Sequence, residues 1–182
     1  MSYRQVTEIH GVRIIQTKLV VDSRGTFIKF HPLEDLRGTL DSVALTINPN
    51  PGTIRGLHFQ VEPYAEEKLI TCIQGSIFDV AVDIRPESKT FGIWGAIELS
   101  AKNALQVYFP KGIAHGYQTL LPNSVVHYGL TSEYSPDSSY VINPFGNLNI
   151  EWPIKENLIS ERDTAGISFL LAAQKYADSI KS

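Results

Sequence analysis

Short runs rich in β-branched and aromatic residues recur along most of this chain, each bounded by turn formers, and that spacing constrains the fold more than any other feature. The runs fall at 12–21, 26–30, 42–47, 53–59, 68–73, 76–84, 91–99, 104–109, 114–120 and 124–130. Between them stand Gln74-Gly75, Arg85-Pro86-Glu87-Ser88, Ala101-Lys102-Asn103, Pro110-Lys111-Gly112 and Pro122-Asn123. Many short strands punctuated this regularly predict an all-β sandwich or barrel. Asp79-Val80-Ala81-Val82-Asp83-Ile84 alternates polar with apolar, so one face is expected toward a core. The stretch 164–181 differs. Ile167, Leu170, Leu171, Tyr176 and Ile180 follow helical spacing, and the segment is expected to pack outside the barrel. With no internal repeat or linker, 1–182 reads as one domain, with a barrel over about 9–153 and a helical segment over about 162–181.

Composition removes several function classes. The formal net charge is −3 with no block of like charge, which argues against a nucleic-acid surface. No run of about 18 apolar residues exists to span a membrane, and Met1-Ser2-Tyr3-Arg4-Gln5-Val6 has no apolar signal core. The single cysteine, Cys72, excludes an internal disulfide, and Ile70 and Ile73 beside it predict burial. The cytoplasm is the expected location.

Of the five histidines, His10, His31, His58, His115 and His127, two stand in suggestive company. His58 lies in Arg55-Gly56-Leu57-His58-Phe59-Gln60, and His115 in Pro110-Lys111-Gly112-Ile113-Ala114-His115-Gly116-Tyr117. A lone histidine is most often a hydrogen-bonded, part-buried residue. Here Arg55, His58, Lys68 and His115 are expected at neighbouring strand ends, where the mouth of a small barrel can gather them. A metal is the first alternative. Small barrels that hold one often carry a His-x-His pair and a later glutamate seven residues before a glycine. In this chain Gln60 replaces the second histidine, and the glutamate position, counted back from Gly75, is Lys68. An ammonium has no lone pair to give a metal. Glu66 and Glu67 remain as oxygen ligands, but no metal site is expected.

Several pieces together resemble the dTDP-4-dehydrorhamnose 3,5-epimerase family of nucleotide-sugar epimerases. They are Asp22-Ser23-Arg24-Gly25-Thr26-Phe27, Gly52-Thr53-Ile54-Arg55-Gly56-Leu57-His58-Phe59-Gln60, Lys68-Leu69-Ile70 and Phe78-Asp79-Val80-Ala81-Val82-Asp83-Ile84-Arg85, then residues 110–117, Tyr134-Ser135-Pro136, Glu151-Trp152-Pro153 and Ser160-Glu161-Arg162-Asp163. They keep the family's order and nearly its spacing over about residues 5–166. The resemblance implies a cupin-like jelly-roll barrel, a homodimer whose N-terminal strands cross to the partner, no cofactor, and a nucleotide-diphosphate 4-keto-6-deoxy sugar as substrate. Its product would be a deoxysugar for a surface polysaccharide such as O-antigen or for a glycosylated natural product.

The implied chemistry is consistent with these residue types. A proton beside a ketone is weakly acidic, so removing it needs a placed base and a group to hold the enolate oxygen. Epimerisation then returns a proton to the opposite face. By resemblance His58 is the base, Asp163 its partner, Lys68 the enolate stabiliser and Tyr134 the acid. Arg55, Gln60 and His115 would shape the pocket, and Arg24, Phe27 and Lys29 would reach the nucleotide of the neighbouring subunit. Local roles remain open beside these: Arg24 could cap a turn with Asp22, and Asp83 could pair structurally with Arg85.

The departures fall on the shell around the proton-moving residues. Lys29 stands where the family has an acid, and 45–51 is shorter than the family's Gln-x-Asn element. Thr71 stands where the family has an arginine. Ile142 replaces a tryptophan, whose ring Tyr140 could supply. These changes leave open a C3-only epimerase, or one acting on a CDP- or GDP-linked sugar. A 3,4-ketoisomerase, a non-catalytic sugar-nucleotide binding module and a metal-dependent oxygenase are the competing classes.

Overall fold

The structure is a computed structural model that describes residues 4–30 and 40–181; His31 lies outside them. Twelve strands are formed among the described residues. They are β1 (Arg13–Gln16), β2 (Lys18–Asp22), β3 (Gly25–Lys29), β4 (Ser42–Asn48), β5 (Ile54–Gln60) and β6 (Lys68–Gln74). Then follow β7 (Ser76–Asp83), β8 (Trp94–Ser100), β9 (Leu105–Phe109), β10 (Ile113–Thr119), β11 (Ser124–Leu130) and β12 (Ser139–Val141). Two five-stranded sheets, ordered β1-β9-β6-β11-β4 and β12-β5-β10-β7-β8, face each other as a cupin-like jelly roll. Every pairing between these strands is antiparallel. Among the described residues no helix is long and apolar enough to cross a membrane.

Between the sheets lies one apolar core, which includes Ile70, Cys72, Ile77, Leu99, Val107, Phe109, Tyr117 and Val126. A second core covers the other side of the β12-β5-β10-β7-β8 sheet, and so the one-sided expectation for 79–84 is corrected. Phe78, Val80, Val82 and Ile84 pack outward beneath Trp152, Ala172 and Tyr176, while Asp79 and Asp83 on the alternate face are also fully buried. A sheet covered on both faces needs polar partners for its inward carboxylates. Asp83 finds them in Arg85, Ser88 and Thr90, the structural pairing anticipated for Asp83 and Arg85.

The outer cover is the C-terminal segment. It folds as two helices rather than one: α1 (Glu161–Thr164) and α2 (Phe169–Ser179). Each starts where a serine hydroxyl accepts a backbone N–H three residues on, Ser160 for α1 and Ser168 for α2. The buried face of α2 presents Ala172, Ala173 and Tyr176 to the sheet.

The run 12–21 also divides. Thr17 is buried and donates its hydroxyl to the Ala104 carbonyl at 2.5 Å. Before it, β1 pairs with β9; after it, β2 leaves the barrel and pairs only with β3. That hairpin carries Val21 and Phe27 at 72% and 65% exposure, large apolar side chains that its own chain leaves uncovered.

Candidate active site

A cavity of about 230 Å³ opens between the two sheets, lined by His58, Phe59 and Gln60 of β5, Glu66 just before β6 and Lys68 at its start, Tyr128 and Leu130 of β11, and Tyr134, Ser139 and Arg162. The lining follows from strand parity. On β5 the side chains of Leu57 and Phe59 enter the outer core, so His58 between them faces the barrel interior.

His58 Nε2 is hydrogen-bonded to Asp163 Oδ1 at 2.9 Å. The second carboxylate oxygen, Oδ2, accepts the Gly56 backbone N–H at 3.0 Å. Burial pushes the Asp163 carboxyl up, but the bonds and charge of His58, with those from Gly56 and Ser160, outweigh it and hold the group below the ordinary carboxylate range. Asp163 therefore stays ionised beside the ring, orients it and fixes which nitrogen carries the proton. The other nitrogen, Nδ1, takes no part in that bond.

The Lys68 ammonium donates to the His58 backbone carbonyl at 3.1 Å and pairs with Glu66 Oε1 at 3.2 Å. Both side chains of that pair are nearly buried, so one cation stands fixed at the cavity wall. Glu66, weighed in the sequence as a metal ligand, serves here as the lysine's counter-ion. Among the described residues no group of three His, Cys, Asp or Glu side chains is arranged to hold a metal ion.

His58, Lys68, Tyr134 and Asp163 are thus brought together, and several other candidates are not. His58 and His115 sit directly opposite within β5 and β10 rather than at strand ends. His115 is 3% exposed and bound to Asp79 at 2.7 Å, outside the cavity lining. Burial pushes the Asp79 carboxyl up despite His115. Gln60 lines the cavity, but its amide is committed: it donates to the Tyr64 and Glu133 carbonyls and accepts the Ser135 N–H. Its role is to hold the loop that carries Tyr134.

Tyr140, the candidate to supply a tryptophan's ring, is not part of the cavity lining. It pairs across the strands with Phe59, stacks on it at 5.7 Å, and receives the Lys175 ammonium over its ring. Ile142 is buried in the same outer core. Arg55 donates to Asn48 Oδ1 at 2.9 Å and is not part of the cavity lining. Arg24, Phe27 and Lys29 lie on the β2–β3 hairpin, away from this chain's own cavity. There Arg24 makes the local contact foreseen for it, a 2.6 Å ion pair with Asp22.

Phe59, Tyr128, Leu130, Ser139 and Arg162 also line the cavity and have no role in the sequence reading. Tyr128 could have been found from the alternation of 124–130, because Val126 and Tyr128 share the inward face. Arg162 lay beside Asp163 inside a motif already singled out, yet only its neighbour was assigned a role. Its guanidinium donates to the Tyr134 phenol oxygen at 3.2 Å and to Ser139 Oγ at 3.1 Å.

In this cupin-like jelly roll a carboxylate-bound histidine, a nearly buried cation and a tyrosine thus stand around one small cavity. The family model described as dTDP-4-dehydrorhamnose 3,5-epimerase matches residues 6–170. The enzyme of that name from Shigella flexneri is 36% identical over 170 residues, covering 90% of this chain and 94% of its own. The crystal structure of the Bacillus anthracis enzyme with TDP and pyrophosphate bound superposes with a TM-score of 0.82 at 35% identity, covering 87% of this chain and 94% of that one. The Legionella pneumophila enzyme in complex with dTDP-4-keto-L-rhamnose gives 0.86 at 31% identity, with 96% of each chain covered. This chain belongs to the dTDP-4-dehydrorhamnose 3,5-epimerase family, sugar epimerases of the isomerase class that serve deoxysugar biosynthesis.

Proposed function

We propose that this chain epimerises a nucleotide-diphosphate-linked 4-keto-6-deoxyhexose, with dTDP as the nucleotide, at C3 and C5. The observation that carries the reading is the His58–Asp163 hydrogen bond at the wall of a cavity that Lys68 and Tyr134 also line. His58 removes the proton beside the C4 ketone. Asp163 stabilises the imidazolium that forms. Lys68 meets the negative charge that builds on the C4 oxygen, and Tyr134 returns a proton to the other face. Base, enolate stabiliser and acid are all side chains, so the reaction as proposed uses no cofactor. The product feeds deoxysugar synthesis for a surface polysaccharide or a glycosylated natural product. Cytoplasmic work suits the single, buried thiol of Cys72.

The test is solvent exchange. In heavy water, dTDP-4-keto-6-deoxyglucose should incorporate deuterium at C3 and C5, read by NMR. Exchange at neither carbon, with dTDP-, CDP- and GDP-linked substrates all tried, would sink the reading. A C3-only reaction is the second reading. It is favoured by Lys29 and by the outward placement of Ile142 and Tyr140, which leave the sugar shell altered. Among similar structures is a 3'-monoepimerase from Streptomyces bikiniensis in complex with dTDP-quinovose, 26% identical. Deuterium at C3 alone would select it.

We also propose a homodimer in which the β2–β3 hairpin crosses to the partner. Support comes from the exposed Val21 and Phe27 on the hairpin, and from Val43, Leu45 and Ile47 exposed along β4. The crossing would carry Arg24, Phe27 and Lys29 toward the partner's cavity. Light scattering should give twice the chain mass of 20.3 kDa. A monomer at micromolar concentration would refute it.

A further inference from the structure

We propose that Arg162 is a positioning residue for the protonation step, holding the Tyr134 phenol while its neighbour Asp163 holds His58. The inference rests on the reading of Tyr134 as the acid given above. Both residues belong to α1, a single helical turn fixed by Ser160, whose hydroxyl accepts the Asp163 N–H at 3.1 Å. From that turn Asp163 reaches the base at 2.9 Å, and Arg162 reaches the phenol oxygen at 3.2 Å. The second arm of the guanidinium donates to Ser139 Oγ at 3.1 Å, so two bonds set the orientation of its plane. One short element therefore fixes the separation between the groups that remove and return the proton.

The chemistry follows from what a guanidinium can do. It only donates, so it occupies a lone pair of the phenol oxygen and leaves the hydroxyl proton to point at the substrate. In the return step the Tyr134 O–H bond breaks, a C–H bond forms from the enolate electron pair, and the negative charge stays on the phenol oxygen. Arg162 meets that charge with a hydrogen bond already in place. Water then restores the phenol proton, and the imidazolium of His58 loses its own to solvent.

A residue acting on the return step alone leaves a distinctive trace. When His58 deprotonates the sugar but Tyr134 fails to deliver, the enolate is reprotonated from the His58 side. Deuterium then enters without inversion. Arg162→Met should therefore lower the inversion rate about ten-fold, roughly the worth of one charge-assisted hydrogen bond. Exchange at C3 should stay within about three-fold of the wild type. Arg162→Lys, which keeps the charge but loses the fork, should recover part of the inversion. Tyr134→Phe should show the same uncoupling more strongly. Melting temperature and dTDP affinity, measured alongside, should not move; if Arg162→Met fails to fold, Arg162→Gln takes its place and should uncouple in the same sense. An active wild type whose variants keep an unchanged ratio of inversion to exchange overturns this proposal alone. So does a proportional loss of both rates, the mark of a merely structural role. A wild type that exchanges no substrate at all overturns the epimerase reading, and the role of Arg162 with it.

Discussion

His58 and His115 are direct partners across β5 and β10, yet each ring is held by a different carboxylate in a different dielectric. The His58 side chain is 38% exposed into the cavity and bound to Asp163, whereas His115 and Asp79 are buried almost completely. Only the first pair is open to a substrate.

Asp163→Asn should separate the two pairs functionally. The amide presents either an N–H to the ring or an oxygen to it, and cannot stabilise the imidazolium with a full charge. A drop in kcat of about 10²- to 10⁴-fold is expected, in line with loss of the carboxylate from other acid–base dyads. Affinity for dTDP, measured by calorimetry, should stay within a few fold because the carboxylate faces the ring and the Gly56 N–H.

Lys68→Met should cost about 10² in kcat or more, the usual effect of removing one oxyanion donor. It also leaves Glu66 nearly buried without its cation, which should destabilise the fold by about 3 kcal/mol. Adding Glu66→Gln should restore stability and leave activity low. Chemical denaturation and steady-state kinetics on the single and double variants would separate the two effects.

Acid should weaken the fold through Asp83 and Asp163. Each carboxyl is pushed up by burial and then brought below its ordinary value by donors, which for Asp83 are Arg85, Ser88 and Thr90. A depressed folded pKa gives stability that is present above the unfolded value near ~3.9 and is lost as pH falls through the folded value. Asp79 has the opposite sign. Its raised folded pKa gives a contribution present below the unfolded value and lost as pH rises through the folded one. Asp79→Asn should therefore gain in stability relative to the wild type as pH rises above about 4, while Asp83→Asn should lose. Urea midpoints across pH 3–8 in which either variant moves against its stated direction relative to the wild type would show that sign to be wrong.

Gly116→Ala tests how closely β5 and β10 approach. A Cβ there would meet the Arg55 carbonyl oxygen at 2.6 Å, and one at Gly56, whose φ is +116°, would meet the Gly116 Cα at 2.7 Å. Backbone cannot yield as a side-chain tip does. Either alanine is expected to cost at least about 2 kcal/mol. It should also lower kcat, because the register that sets His58 against Asp163 runs through Gly56. An unchanged melting temperature would show the strands have room.

The strand pattern was readable because alternation and turn residues are local signals, and the observed strands mostly start and stop within a residue or two of the runs. Ser139–Val141 was too short to announce itself, and the break at Thr17 depends on a bond to Ala104 that no local pattern records. His58, Lys68 and Tyr134, picked out by the motif, do line one cavity, and Asp163 reaches it through the His58 ring. The motif could not show how the Gln60 amide and the Tyr140 ring are partnered. Which face a β12 side chain takes is set by its register on β5, and whether an amide is free is set by carbonyls far along the chain. Both are long-range facts.

The bond between base and carboxylate joins residues 105 positions apart, and the later one arrives with α1, after every barrel strand. A polypeptide cut short before Ser160 keeps His58, Lys68 and Tyr134 but loses Asp163, together with Ala172 and Tyr176 of α2, which cover the outer core. The last stretch of chain to leave the ribosome therefore completes both the contact to the His58 ring and the lid over the sheet.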